Sequence, residues 1–175
     1  MLTFLNKLRQ VGAGFEVKAG GIRFFHPQRP LKPIVLETDV HPGFMTDWQQ
    51  PFVMLMTQVA GLSVVHETVY ENRFGYADEL VKMGAEIQLF RQCLGEKPCR
   101  FKGRDFAHSC VVKGPAPLRA ADIAIPDLRA GFSYLIAAAV APGVSRIHGV
   151  EYVERGYTGI LEKFEALHAN IRLRD

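Results

Sequence analysis

Apolar residues recur at three- and four-residue steps in some stretches of the chain and alternate in others. The two periods divide it into elements. Leu2, Leu5, Leu8 and Val11 predict an amphipathic helix over residues 2–11, ended by Gly12-Ala13-Gly14. Phe15-Glu16-Val17 and Ile22-Arg23-Phe24 alternate on either side of Gly20-Gly21, which reads as strand, turn, strand. Pro27, Pro30 and Pro33 interrupt regular structure before a strand at Ile34–Leu36. Thr46-Asp47-Trp48-Gln49 opens a helical run from Phe52 to Ala60, stopped by Gly61. The β-branched run Leu62–Tyr70 predicts a strand. A helical stretch with Leu80 and Met83 and a strand at Glu86–Phe90 follow. Residues 91–110, punctuated by Gly95, Pro98 and Gly103, predict a hairpin. Val111-Val112 is a short strand and Gly114-Pro115-Ala116-Pro117 a loop. Asp127 leads a second helix through Phe132, Leu135, Ile136 and Val140 to Gly143.

The two aspartate-led helices belong to an internal repeat. Gly61-Leu-Ser63-x-x-His66 matches Gly143-Val-Ser145-x-x-His148, and Arg73 matches Arg155 at the same offset. Leu8-x-x-Val11-Gly12-Ala13, Leu80-x-x-Met83-Gly84-Ala85 and Phe164-x-x-Leu167-His168-Ala169 predict three copies of a helix, a turn and a strand. The expectation is an α/β (α+β) repeat domain over residues 1–175, with a partial unit at 1–36 and units at 37–110 and 111–175. The first copy lacks its front half. Either another chain or a rearranged strand covers the resulting apolar edge, or the first helix caps the array.

Composition narrows the classes. The chain has 175 residues, 48% hydrophobic and 22% charged, in the range of globular domains. Its net charge of +3 is spread along the sequence, too weakly basic to predict a nucleic-acid partner but compatible with an anionic small molecule. The apolar runs are short or interrupted, so no transmembrane helix is predicted. Cys93, Cys99 and Cys110 show no C-x-x-C, which reads as a reduced, cytoplasmic chain.

Asp47 and Asp127 each have two readings: an N-cap for the free N–H groups of the first turn, or a carboxylate that serves as base or binds a hydroxyl. Arg73 and Arg155 read as surface ion pairs or as guanidinium groups for phosphate or carboxylate. Arg129 lies in a first helical turn, where a cation opposes the helix dipole. His66 and His148 read as satisfied, partly buried histidines. The six histidines show no metal-ligand spacing, and no phosphate loop is present, so neither metal nor cofactor is expected. Cys99 and Cys110, near Lys97, Arg100 and His108, read as inert thiols, with a reactive thiolate as the alternative.

Four blocks carry a resemblance: His41-Pro42-Gly43-Phe44-x-Thr46-Asp47-x-Gln49, Glu67-Thr68-Val69-Tyr70-Glu71-Asn72-Arg73-Phe74, Asp127-Leu128-Arg129-Ala130 and Arg155-Gly156-Tyr157. In this order they resemble the UDP-N-acetylglucosamine 1-carboxyvinyltransferase family. These enolpyruvyl transferases commit UDP-N-acetylglucosamine to peptidoglycan, and so cell-wall, synthesis. The shikimate-pathway relatives match the blocks poorly. The resemblance covers the C-terminal part of such an enzyme and implies an inside-out α/β barrel-like fold, here about two and a half of six repeat units. It implies that Asp47 is the base at the sugar 3-hydroxyl, that Val69 and Tyr70 line the uridine-nucleotide site, and that Arg73 lies in the cleft. It further implies that Asp127, with Arg129 beside it, serves the addition and elimination steps, and that Arg155 holds phosphoenolpyruvate. The family's lysine–asparagine pair and loop cysteine have no counterpart here. Pro51 and Gly75-Tyr76-Ala77-Asp78 depart from its pattern.

The resemblance implies transfer of enolpyruvyl from phosphoenolpyruvate to UDP-N-acetylglucosamine by addition–elimination. A second domain or chain would complete the cleft, and this chain alone would be inactive. The competing reading is a non-catalytic module that keeps the fold and binds a nucleotide sugar or a protein.

Overall fold

The computed structural model describes residues 1–174, which fall into two compact units: Met1–Gly75 with Glu86–Ala116, and Tyr76–Ala85 with the chain from Pro117 onward. In the first unit, helix α1 (Leu2–Val11) buries Leu5, Leu8 and Val11, the stripe expected from the three-residue steps. Strands β1 (Gly14–Lys18) and β2 (Gly21–Phe25) form a two-stranded antiparallel hairpin in which Lys18 pairs with Gly21. The main sheet has the order β3 (Val35–Glu37), β4 (Gly61–His66), β6 (Ser109–Gly114), β5 (Glu86–Phe90). The β3–β4 pair is parallel and the other two pairs are antiparallel. Helix α2 (Gln49–Met56) packs on β6, burying Phe52, Val53, Met54 and Met56. A Cβ at Gly114 would collide with the carbonyl oxygens of Met56, Thr57 and Val59, so only glycine lets this helix end approach the strand so closely.

The second unit contains α3 (Ala77–Lys82), α4 (Leu128–Val140), α5 (Glu151–Glu154) and α6 (Ile160–Ala166), with β7 (Asp122–Ala124) parallel to β8 (Arg146–His148). Tyr134, fully buried on α4, donates its hydroxyl to the Tyr76 carbonyl at 3.2 Å. Among the described residues no sheet closes on itself, and no helix is long and apolar enough to cross a membrane.

The repeat is written in backbone hydrogen bonds. Gly12, Gly84 and His168 all have left-handed φ, of 89°, 100° and 62°. Behind them Ala13, Ala85 and Ala169 donate to Leu8, Leu80 and Phe164, the wide bond of a Schellman ending. The parallel strand pairs repeat too. Val64 and Arg146 donate to Ile34 and Ala121, whose own N–H groups reach the hydroxyls of Ser63 and Ser145, at 3.3 Å each.

Four expectations change. Helix α2 ends at Met56 rather than Ala60. The strand predicted to Tyr70 stops at His66, because the backbone N–H groups of Val69 and Tyr70 turn to the Glu67 carboxylate. The hairpin within 91–110 is instead β5 and β6 joined by residues 91–108, which hold no helix or strand. No strand follows Ala169 among the described residues.

Candidate functional site

Asp47 sits inside a 3₁₀ turn, Thr46–Trp48, rather than at a cap position, and neither Met45 nor Trp48, the N-caps of that turn and of α2, makes a side-chain cap bond. The Asp47 carboxylate instead accepts from Arg73 Nη2 at 3.1 Å. Asp47 is half exposed, whereas the Arg73 side chain is 6% exposed and its Nε is buried with no hydrogen-bond partner. The Arg73 guanidinium lies 4.7 Å from the centre of the exposed Tyr70 ring, on its face.

Glu67 holds this arrangement together. It is fully buried and accepts four hydrogen bonds: from the hydroxyls of Thr38 (2.8 Å) and Thr46 (2.9 Å), and from the backbone of Val69 (2.8 Å) and Tyr70 (2.9 Å). One carboxylate thus ties the end of β3, the turn carrying Asp47 and the loop carrying Tyr70. An acidic residue ending an apolar strand was the available signal for it. Val69, Tyr70 and Glu71 line a cleft of about 470 Å³ together with Arg100, Phe101 and Arg104. The two arginines come from the 91–108 segment and were not singled out by pattern. They give the cleft a cationic wall suited to a phosphate-bearing ligand.

In the second unit, Asp127 is the N-cap of α4 and accepts from the backbone of Arg129 (2.8 Å) and Ala130 (3.1 Å). The cap reading therefore holds for Asp127 and not for Asp47. Arg155 does not directly follow a strand: α5 intervenes, and Arg155 is its C-cap, exposed, with its guanidinium 5.7 Å from the Tyr152 ring centre. Phe132 of α4 and Tyr157 stack at 4.7 Å, which brings the segment after Arg155 against the helix that Asp127 starts. The structure therefore gathers Asp47, Val69, Tyr70 and Arg73 in one unit, and Asp127, Arg129 and Arg155 in the other.

Of the paired histidines, His148 is exposed and bonded to Asp122 at 2.8 Å. His66 is fully buried, with Nδ1 on Glu37 at 2.9 Å and Nε2 without a partner. Burial pushes the thiols of Cys99 and Cys110 up, so neither is an activated thiolate as a free thiol. Although the sequence shows no metal-ligand spacing, His66, Cys93, Cys99 and His108 can each offer one ligand atom, and these atoms lie within 4.8 Å of one another.

Residues 1–164 match the profile of the family described as EPSP synthase (3-phosphoshikimate 1-carboxyvinyltransferase). The chain is 58% identical over 173 residues to the UDP-N-acetylglucosamine 1-carboxyvinyltransferase of Protochlamydia amoebophila, covering 99% of this chain and 37% of that protein. It is 53% identical to the enzyme of that name from Chlamydia trachomatis serovar D, covering 100% and 40%. It therefore spans about two fifths of the length of these curated relatives. Among solved structures, the enolpyruvyl transferase NikO from Streptomyces tendae superimposes with a TM-score of 0.83 at 25% identity, over 98% of this chain and 36% of that one. An EPSP synthase from Acinetobacter baumannii shares the fold, with a TM-score of 0.54 at 16% identity over 83% of this chain and 31% of that one.

Proposed function

This chain belongs to the EPSP synthase (3-phosphoshikimate 1-carboxyvinyltransferase) family, and from that premise we propose that it is part of an enzyme that moves enolpyruvyl from phosphoenolpyruvate to the 3-hydroxyl of UDP-N-acetylglucosamine. The observation that carries this reading is the constellation fixed by Glu67. It sets Asp47 against Arg73 and Tyr70, beside a cleft walled by Arg100 and Arg104. A uridine diphosphate suits such a wall, with an aromatic surface at Tyr70 and guanidinium groups for the phosphates.

In this reading Asp47 takes the proton of the sugar hydroxyl as it attacks the cationic carbon of protonated phosphoenolpyruvate. Arg73, hydrogen-bonded to that carboxylate, keeps it oriented. In the second unit, Asp127, with Arg129 two residues on, and Arg155 are the candidates for handling phosphoenolpyruvate, whose addition is followed by loss of phosphate. A second domain or chain supplies the remaining groups. The substrates are soluble metabolites, consistent with a cytoplasmic site of action and a role in peptidoglycan synthesis.

Calorimetric titration of UDP-N-acetylglucosamine into this chain tests the reading. Weak binding is expected for the wild type. Asp47→Asn keeps an acceptor for Arg73 but removes the charge, and should weaken binding by roughly ten- to a hundredfold, the loss of one charge-assisted hydrogen bond. Absence of binding, or equal binding by the variant, overturns the assignment of Asp47. Phosphate release from phosphoenolpyruvate and UDP-N-acetylglucosamine should stay at background for this chain alone. Robust turnover would remove the need for a second domain.

A further inference from the structure

Residues 91–108 form a long connection without helix or strand, and it carries three chemically reactive side chains to one place. Cys93, Cys99 and His108 converge there on His66 from the end of β4, with their ligand atoms within 4.8 Å of one another. The histidines are fully buried and the cysteines half-buried.

The orientation of the two imidazoles is what turns proximity into a site. His66 Nδ1 is engaged by the Glu37 carboxylate at 2.9 Å, which leaves its Nε2 buried and without a partner. His108 Nδ1 faces the Phe106 carbonyl at 3.2 Å, and its Nε2 lies 3.4 Å from Cys93 Sγ. Each ring thus has one nitrogen held by an oxygen acceptor and the other left to the cluster, the second-shell pattern of histidines that ligate a metal. Glu37 is fixed in turn by the backbone N–H groups of Glu96 (3.1 Å) and Lys97 (2.9 Å), which lie between the two cysteines.

We propose that His66, Cys93, Cys99 and His108 form a structural zinc site. Two thiolates and two imidazoles are a tetrahedral ligand set that favours Zn²⁺ over harder cations. With Zn–S near 2.3 Å and Zn–N near 2.0–2.1 Å, a sulfur–nitrogen edge of the tetrahedron is about 3.5 Å, close to the Cys93–His108 separation. Four protein ligands close the coordination sphere, so the ion holds structure and does not activate water. Binding displaces one proton from each of the two thiols and forms two Zn–S and two Zn–N bonds, with no change of oxidation state. The ion would fasten the 91–108 segment, and with it Arg100 and Arg104, to the end of β4. It would add to the bonds that Glu37 already makes to the backbone of Glu96 and Lys97 in this segment.

The test uses the whole chain, purified under reducing conditions without chelator. Elemental analysis should find stoichiometric zinc, retained in His148→Ala, whose histidine lies outside the cluster, and lost in Cys99→Ala. Cobalt added to the reduced, metal-stripped wild type should give the intense visible bands of a tetrahedral ion with thiolate charge transfer, and Cys93→Ser should weaken them. Stripping zinc should lower the melting temperature, and adding it back should restore it. These wild-type readouts decide the matter even where a variant fails to fold. A reduced chain that takes up neither zinc nor cobalt, or a Cys99→Ala variant that keeps its full zinc content, overturns the proposal.

Discussion

Glu67→Ala is expected to destabilise the chain by about 3–5 kcal/mol, the range for removing one partner of a buried charged network. The carboxylate is fully buried and accepts four hydrogen bonds at 2.8–2.9 Å, two from threonine hydroxyls and two from the backbone. Alanine leaves all four donors to find water or go unmade and opens a void among them. Glu67→Gln is the discriminating partner. Its carbonyl oxygen can keep the three bonds of Oε1, and its amide can donate to the Thr46 hydroxyl in a reversed bond. Only charge assistance is lost, so about 1–2 kcal/mol is expected. Urea unfolding at constant slope measures both. If alanine costs no more than glutamine, Glu67 does not hold the Asp47 turn and the Tyr70 loop together. The same alanine variant should abolish binding of UDP-N-acetylglucosamine, because the turn and the loop lose their shared anchor.

Phe44→Ala should cost a similar amount, about 3–5 kcal/mol, the range for truncating a buried aromatic. Phe44 is 2% exposed, and its ring centre lies 5.2 Å from that of Phe52, 5.5 Å from Trp48 and 6.1 Å from Phe4. It therefore joins α1, the 3₁₀ turn and α2, and the turn it underpins is the one that presents Asp47. For a chain of this size the melting temperature should fall by roughly 6–20 °C, from about 2–4 °C per kcal/mol. Phe44→Leu, which refills much of the space, should cost less than half as much. A loss below about 1 kcal/mol for alanine would mean that the aromatic cluster relaxes around the cavity rather than depending on this ring.

What could be read from the sequence were the features that local chemistry dictates. The turns at Gly12 and Gly84 are legible because a helix ending in left-handed geometry favours glycine, and His168 became legible only by alignment with them. Asp127 is legible as a cap because it stands immediately before its helix. Asp47 resembles it in sequence, but a 3₁₀ turn at Thr46–Trp48 moves the N-cap one residue on, to Trp48, and the Asp47 carboxylate goes to Arg73 instead. The strand predicted after Gly61 reaches too far because Thr68, Val69 and Tyr70 have strand-forming side chains, while their backbone N–H groups are claimed by the side chains of Thr38 and Glu67. Arg100, Arg104 and the Cys–His cluster were not legible as groups. Their spacing follows no motif, and they meet only because residues 91–108 fold back on the end of β4.

The last rung of the parallel β3–β4 pair sets Glu37 opposite His66, and the next residues along each strand, Thr38 and Glu67, bond to one another. Two adjacent side-chain pairs therefore lead in different directions, one to the cysteine and histidine cluster and the other to the Asp47 turn and the cleft. In evolutionary terms this rung is a place of epistasis. Because Glu37 and Thr38 are adjacent, a substitution at one is expected to couple energetically to a substitution at the other, and so the cluster to the cleft. Lineages would be expected to alter the four positions together or leave them alone, and single-residue scans would misjudge each of them.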